Sequence, residues 1–329
     1  MRKIIFALCG IVLLLAACKK SNAPVDNSDE TLAITKRSCA SYEVLQEQLK
    51  ADPTLKQRMD QIEAFTARMI QSGKLNTRTT STIEIPVVVH VVYNTASQNI
   101  SDQQIASQIA VLNEDYSATN SDISQTPSLF GTVTSSGLGV HFTLAQTNRV
   151  KTKMKSFSTN DAVKSTQRGG DNVVDPQHKL NIWVCNLGQG LLGYAQFPGG
   201  SWNTDGVVIL YSAFGSRSKY SGGTYISKYD LGRSATHEIG HWMNLRHIWG
   251  DDGGSCSGSD LVDDTPNQAS ENYGCPVFPH VSCSNSGDMS MNYMDYTDDA
   301  CMYMFSKGQQ SRALAVFAAG GPRAVLAGN

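Results

Sequence analysis

Seven histidines are spread over 329 residues, and three of them fall in one stretch, His237-Glu-Ile-Gly-His241-Trp-Met-Asn-Leu-Arg-His247. On a helix, residues four apart share a face, so the imidazoles of His237 and His241 converge on one point. Glu238 lies one position along, near that point but off the coordination axis, where a general base belongs. His247 reaches the same point only if the helix ends first, and Asn244 supplies a residue that tolerates the left-handed turn this needs. Three neutral imidazoles leave a zinc ion one open position, as in catalytic rather than structural sites. Zinc held this way acidifies water to a pKa of about 7 and polarises a carbonyl. With Glu238 to take a proton and return it to a leaving amine, the chemistry is amide hydrolysis. His90 and His141 stand in strand-like runs, and His178 and His280 in loops. They read as framework and surface residues.

Those side chains need elements to position them. Ile85-Pro-Val-Val-Val-His-Val-Val-Tyr93 is β-branched and apolar on both faces, as in a buried strand. Ser101 with Gln104 forms a capping box opening a helix through Ile105, Ile109 and Leu112. Further strands are expected at 140–145, 180–185, 191–197 and 207–211, the active-site helix at about 231–243, and a final helix near 307–318. Beyond His247 the chain is loop-rich. This order implies an α+β (mixed α/β) catalytic domain over 82–329, with an upper lobe to about 246, a lower lobe from 247 and a cleft between them. Upstream, Leu45, Leu49, Leu55, Met59, Ile62, Phe65 and Met69 recur at helical spacing, and Pro53 divides them into two helices. Residues 74–81, rich in Thr and Ser, read as a linker.

Hydrophobic residues make up 40% of the chain and charged ones 17%, with a net charge of -2. That composition excludes a disordered chain and gives no basic stripe for nucleic acid. Met1-Arg-Lys precedes an apolar run over 4–17, which is shorter than the roughly 20 residues of a membrane span and suits a signal peptide over 1–17. The run ends Leu15-Ala-Ala-Cys18, similar to a bacterial lipobox, so Cys18 is the candidate lipid attachment and the one expected link to a membrane. An ordinary signal cleavage is the alternative. The chain is therefore expected to be exported, either as a lipoprotein of the outer membrane or cell surface or as a secreted protein after processing. Residues 18–81 would form the tether and a helical propeptide. Of 8 Cys, four (Cys256, Cys275, Cys283 and Cys301) lie in the last quarter. In an exported protein these read as two disulfides, with three possible pairings, and a zinc cluster is the alternative.

The His-Glu-x-x-His-x-x-x-x-x-His run, followed by Asn292-Tyr293-Met294-Asp295-Tyr296, resembles the metzincins, most of which have Gly where this chain has Asn244. The longer match is to the pappalysin family, especially its ulilysin-like bacterial members. It is carried by His241-Trp242, Gly250-Asp251-Asp252, the Asn-Tyr-Gly-Cys-Pro of 272–276, Met294-Asp-Tyr-Thr-Asp-Asp-Ala-Cys301 and Asn181-Ile-Trp-Val-Cys185.

The resemblance implies a zincin-like two-lobe domain with a twisted mixed sheet and a disulfide-stapled C-terminal lobe. Met294 would floor the zinc site, and Tyr296 would donate to the oxyanion. Leu192 and Gly193, in the cleft-edge strand 191–195, would hold substrate through main-chain bonds. Asp299 would lie at the base of the pocket for the residue after the scissile bond, which implies cleavage before Arg, with Lys second. The family pairs Cys256 with Cys283 and Cys275 with Cys301. It also suggests calcium at Asp260, Thr265 and the Val262 carbonyl. Arg37-Ser-Cys39-Ala-Ser-Tyr resembles the family's propeptide motif, with Ala40 where Gly is usual. Cys39 would then be a latent-state zinc ligand, with a Cys39–Cys185 disulfide or an idle thiol as alternatives. Cleavage before Arg would make Thr77-Arg78 a self-processing point. The expectation is an exported zinc endopeptidase acting on proteins and peptides. Its rivals are a non-catalytic zinc-containing lipoprotein that serves as a binding module, and a zinc hydrolase of non-peptide amides.

Overall fold

The order of elements follows the apolar patterning. A computed structural model describes residues 34–73, 75 and 82–328. The expected signal segment, Cys18 and Thr77-Arg78 lie outside them. Two helices come first, α1 (Ser41–Ala51) and α2 (Leu55–Gln71). The break at Pro53 is held by Asp52, whose carboxylate accepts from the Thr54 amide at 3.0 Å. Then follow β1 (Ile83–Tyr93), α3 (Asp102–Tyr116), β2 (Val140–Lys151), β3 (Leu180–Cys185), β4 (Gly193–Ala195), β5 (Val207–Leu210), α4 (Arg233–Trp242) and α5 (Lys307–Ala315).

The five strands form one sheet in the order β2-β1-β3-β5-β4. All neighbours are parallel except β4, which runs antiparallel to β5 at one edge. Strand alternation divides the core. Val87, Val89, Ile182 and Ile209 face α3 and α4 together with Ile105, Leu112 and Ile239. Val92, Trp183, Tyr194 and Val208 pack on the opposite face. Burial on both faces is why β1 from Ile85 onward is apolar at every position but His90.

Three expectations are corrected by tertiary contacts. Ser101 caps α3 through the Gln104 amide, but the Gln104 side chain does not return to complete a capping box. It is buried and bonds the carbonyls of Tyr211, Phe214 and Thr224, loop groups that have no water to turn to. Strand β4 spans three residues rather than 191–197. Strand β2 continues to Lys151, paired with β1 as far as Tyr93, but beyond Phe142 its residues are exposed or half-buried and leave no apolar pattern to read.

Two buried networks brace the sheet and α4. Arg323 grips both oxygens of Asp205 at 2.9 Å, donates to the Trp242 carbonyl, and stacks 3.8 Å from the Trp242 ring. The end of α4 is thereby fixed to the segment before β5. His90, buried in β1, presents Nδ1 to Asp171 Oδ2 at 2.7 Å and Nε2 to Asn181 Oδ1 at 2.9 Å. The hydrogen bond from His90 holds the Asp171 carboxyl below its usual range, against partial burial. A depressed carboxyl contributes stability above the unfolded pKa and loses it on acidification. Asp171→Asn should therefore lower unfolding stability at pH 7 by about 1–2 kcal/mol. The difference from wild type should shrink as pH falls through about 4, read by denaturant titration at each pH.

Candidate metal centre

Helix α4 begins after Gly232, whose φ of +88° suits glycine, and ends where Asn244 takes φ +71°. The Asn244 turn redirects the chain so that His247 rejoins His237 and His241. Each ring is oriented by an acceptor on Nδ1. His237 donates to the Tyr293 carbonyl at 2.6 Å, His241 to the Leu245 carbonyl at 2.8 Å, and His247 to the Asp251 carboxylate at 2.7 Å. With Nδ1 carrying the proton, each Nε2 keeps its lone pair. The Nε2 of His241 lies 3.2 Å from that of His237 and 3.1 Å from that of His247.

Three lone pairs turned on one another in a buried site repel unless a cation lies between them. Burial, reinforced by the neighbouring imidazoles, holds His237 and His241 well below the usual histidine range, so they are neutral and ready to ligate. Cys39 completes the group. Its sulfur and the three histidine nitrogens lie within 4.8 Å of one another. A buried set of three imidazoles and one thiol suits tetrahedral zinc.

Around this centre, Trp249 stacks on His247 with centroids 4.3 Å apart, and Tyr296 meets Trp249 edge-on. The Tyr296 hydroxyl donates to the Cys39 carbonyl at 3.0 Å. Asp295 fixes that stretch by accepting from the amides of Tyr296 and Asn272. Met294 is buried beneath α4, where a Cβ on Gly240 would lie 2.5 Å from its sulfur.

Glu238 is buried, and burial raises its carboxyl to about 7 against the hydrogen bonds it accepts from Ser41 and Cys39. Those bonds are 2.8 Å from the Ser41 hydroxyl and 3.2 Å from the Cys39 thiol. Gly193 passes directly over it. A Cβ there would stand 2.8 Å from Glu238 Cγ and 2.9 Å from the Val208 carbonyl, so the strand can cross only as glycine.

The segment 37–41 fills the cleft. Ser38 accepts from the Leu192 amide at 2.9 Å, Ala40 donates to the Gly193 carbonyl at 3.1 Å, and the Ser41 hydroxyl takes the Ala195 amide at 2.8 Å. Arg37 is buried with its guanidinium 2.6 Å from Asp299 and bonded to Ser234 and the Thr297 carbonyl. Asp299 also accepts from the amides of Leu231 and Arg233.

Of the remaining cysteines, Cys256 is bonded to Cys283 and Cys275 to Cys301, while Cys39 and Cys185 are both free and buried. The Asp260 carboxylate is buried, with the Thr265 hydroxyl at 2.7 Å, and that hydroxyl lies 3.0 Å from the Val262 carbonyl. Sequence reasoning assigned no role to Asp251, Ser41 or Arg37. The first carried a readable signal, an acid four residues after a ligating histidine.

Residues 166–318 match the model of the M43 peptidase family, described as "Pregnancy-associated plasma protein-A". Extracellular metalloprotease 1 of Coccidioides posadasii is 36% identical over 236 residues, covering 70% of this chain and 75% of that protein. Mature mirolysin of Tannerella forsythia, solved with a cleaved peptide, is 50% identical with a TM-score of 0.72, covering 75% of this chain and 96% of that one. Promirolysin of the same organism is 46% identical with a TM-score of 0.79, covering 88% and 97%. The chain belongs to the pappalysin family of metzincins. This pappalysin is a zinc metalloendopeptidase, which sets aside the binding-module alternative, and the triad is the site whose donors fit the ion.

In this pappalysin Asp251 is the partner that sets the tautomer of His247. Asp251→Ala should lower zinc affinity by about 10–100-fold in competition with a chromogenic chelator, and Asp251→Asn, which keeps an acceptor, should recover most of it.

Proposed function

We propose that the protein is an exported endopeptidase that cleaves before Arg, and secondarily Lys, and is held latent by residues 34–75 until they are removed. The observation that carries this reading is the buried Arg37–Asp299 pair beside Cys39 on the histidine triad. Arg37 supplies the side chain that the Asp299 pocket would take from a substrate, and Cys39 supplies a sulfur where water would stand. The similarity to a pro-form, over a larger share of the chain than to the mature form, supports latency. Relatives named extracellular metalloproteases support export. Lipid attachment at Cys18, with residence at the outer membrane or cell surface, is the anchored version of this reading, and a cut at Thr77-Arg78 would break the covalent link between that anchor and the catalytic domain, 82–329.

Bound zinc would supply a Lewis acid and an acidified water. The protein does the rest. His237, His241 and His247 hold the ion, and Met294 floors the site. With Cys39 and Ser41 gone, Glu238 is free to take a proton and hand it to the leaving amine. Tyr296, released from the Cys39 carbonyl, donates to the substrate carbonyl oxygen as charge develops. The Leu192 amide and the Gly193 carbonyl, bonded here to residues 38 and 40, bind the substrate main chain.

The test is cleavage-site profiling on a proteome-derived peptide mixture after removal of residues 1–81. Wild type should cut before Arg. Glu238→Ala should lose at least ~100-fold in rate. Asp299→Asn should lose about 100-fold in kcat/KM on Arg peptides while keeping its zinc. A profile without basic preference after the cut refutes the pocket.

Calcium belongs to the same proposal. Asp260, the Val262 carbonyl and the Thr265 hydroxyl offer hard oxygens around a buried carboxylate that has no cationic partner within ion-pair distance among the described residues. Calcium should raise the melting temperature of wild type by several degrees and leave Asp260→Asn unchanged. Equal shifts in both would place the ion elsewhere.

A further inference from the structure

Helix α2 lies away from the histidine triad, yet it is fastened to the catalytic part of the molecule at three places. Near its start, Leu55 and Met59 pack on Phe197, whose ring is itself 5.2 Å from that of His241. Near its end, Phe65 and Met69 lie with Leu75 against Leu314, Ala315 and Ala318 of the last helical segment. Between these apolar contacts stands Glu63.

One Glu63 oxygen is 2.6 Å from Arg312, 3.3 Å from Arg246 and 3.5 Å from the Asn244 amide. Arg312 is 3% exposed and holds the turn between zinc ligands by donating to the Asn244 carbonyl at 2.7 Å. Partial burial works against a charge on Glu63, and the hydrogen bonds and charges of Arg312 and Arg246 together outweigh it, leaving the carboxyl below its usual range. The pattern is that of a binding interface, with a half-buried charge-assisted bond flanked by apolar contacts.

None of these contacts involves Cys39, and all of the α2 side, Leu75 included, lies upstream of Thr77-Arg78 in the linker 74–81. A cut there severs the chain and leaves every one of them intact. We infer that Arg246, Arg312, Phe197 and the Leu314–Ala318 face form a docking site for an amphipathic helix bearing a carboxylate. Its occupant is this chain's own α2, which stays bound after the linker is cut, with Glu63 as the anchor. The inference rests on the reading of residues 34–75 as a propeptide. It adds a second hold, so that linker cleavage alone does not expose the cleft, and a further cut or displacement must follow.

The experiment uses the full chain after its leader, with a site for a sequence-specific protease placed in 76–81. Glu238→Ala suppresses self-digestion, and Cys39→Ala removes the thiol hold. After cutting, retention of the 34–75 segment is followed by size exclusion and native mass spectrometry. The segment should co-elute with the catalytic part. Adding Glu63→Gln, or Arg246→Gln on the opposite side of the contact, should speed its release by about tenfold or more. Two substitutions on different elements guard against a folding defect in either. Immediate loss of the segment with Glu63 intact, or release rates unaffected by both substitutions, would overturn the inference. The thiol hold is judged separately, by comparing the activity of uncut Cys39→Ala with wild type in chains that keep Glu238, so either idea can fail without the other.

Discussion

Three imidazole lone pairs meeting at one buried point are the constraint on which the rest of the structure depends. A histidine ring can aim Nε2 only if something accepts the proton on Nδ1. The three acceptors come from different places: the Tyr293 carbonyl, the Leu245 carbonyl at the end of α4, and the Asp251 side chain. Each must itself be fixed. The Leu245 carbonyl depends on the Asn244 turn, which Arg312 holds, and the end of α4 depends on Arg323 and Asp205. The Tyr293 stretch depends on Asp295 and Asn292 beyond it. The sheet contributes by bringing Gly193 over Glu238 with no side chain between them.

Much of this was readable because it is local. Spacing of four and six residues places ligands on a helix and past its end, and a general base next to the first ligand needs no tertiary information. The long apolar run of β1 announced burial on both faces. The family resemblance gave the Cys pairings and singled out Cys39 and Asp299, none of which spacing alone could supply.

What could not be read depends on partners distant in sequence. Gln104 has the residue type and position for a capping box, yet its amide goes to three loop carbonyls more than 100 residues away. Strand β4 pairs with only Val207–Ile209 of β5, and its outer edge is met by residues 38–41 from far upstream. Ser41 and Glu63 are ordinary polar residues in the sequence. They acquire meaning only when the fold puts one on Glu238 and the other on two arginines.

The ring closed by Cys275 and Cys301 has a consequence for where this enzyme can exist in working form. It encircles Tyr293, Met294, Tyr296 and Asp299, so the acceptor for His237 and the residues beside the ion sit on a loop held by a covalent clasp. That clasp persists only in oxidising surroundings. In a reducing cytoplasm the chain has its helix of ligands but lacks the clasp on the opposite wall. Covalent closure of the wall that orients His237 is therefore tied to surroundings in which thiols are oxidised.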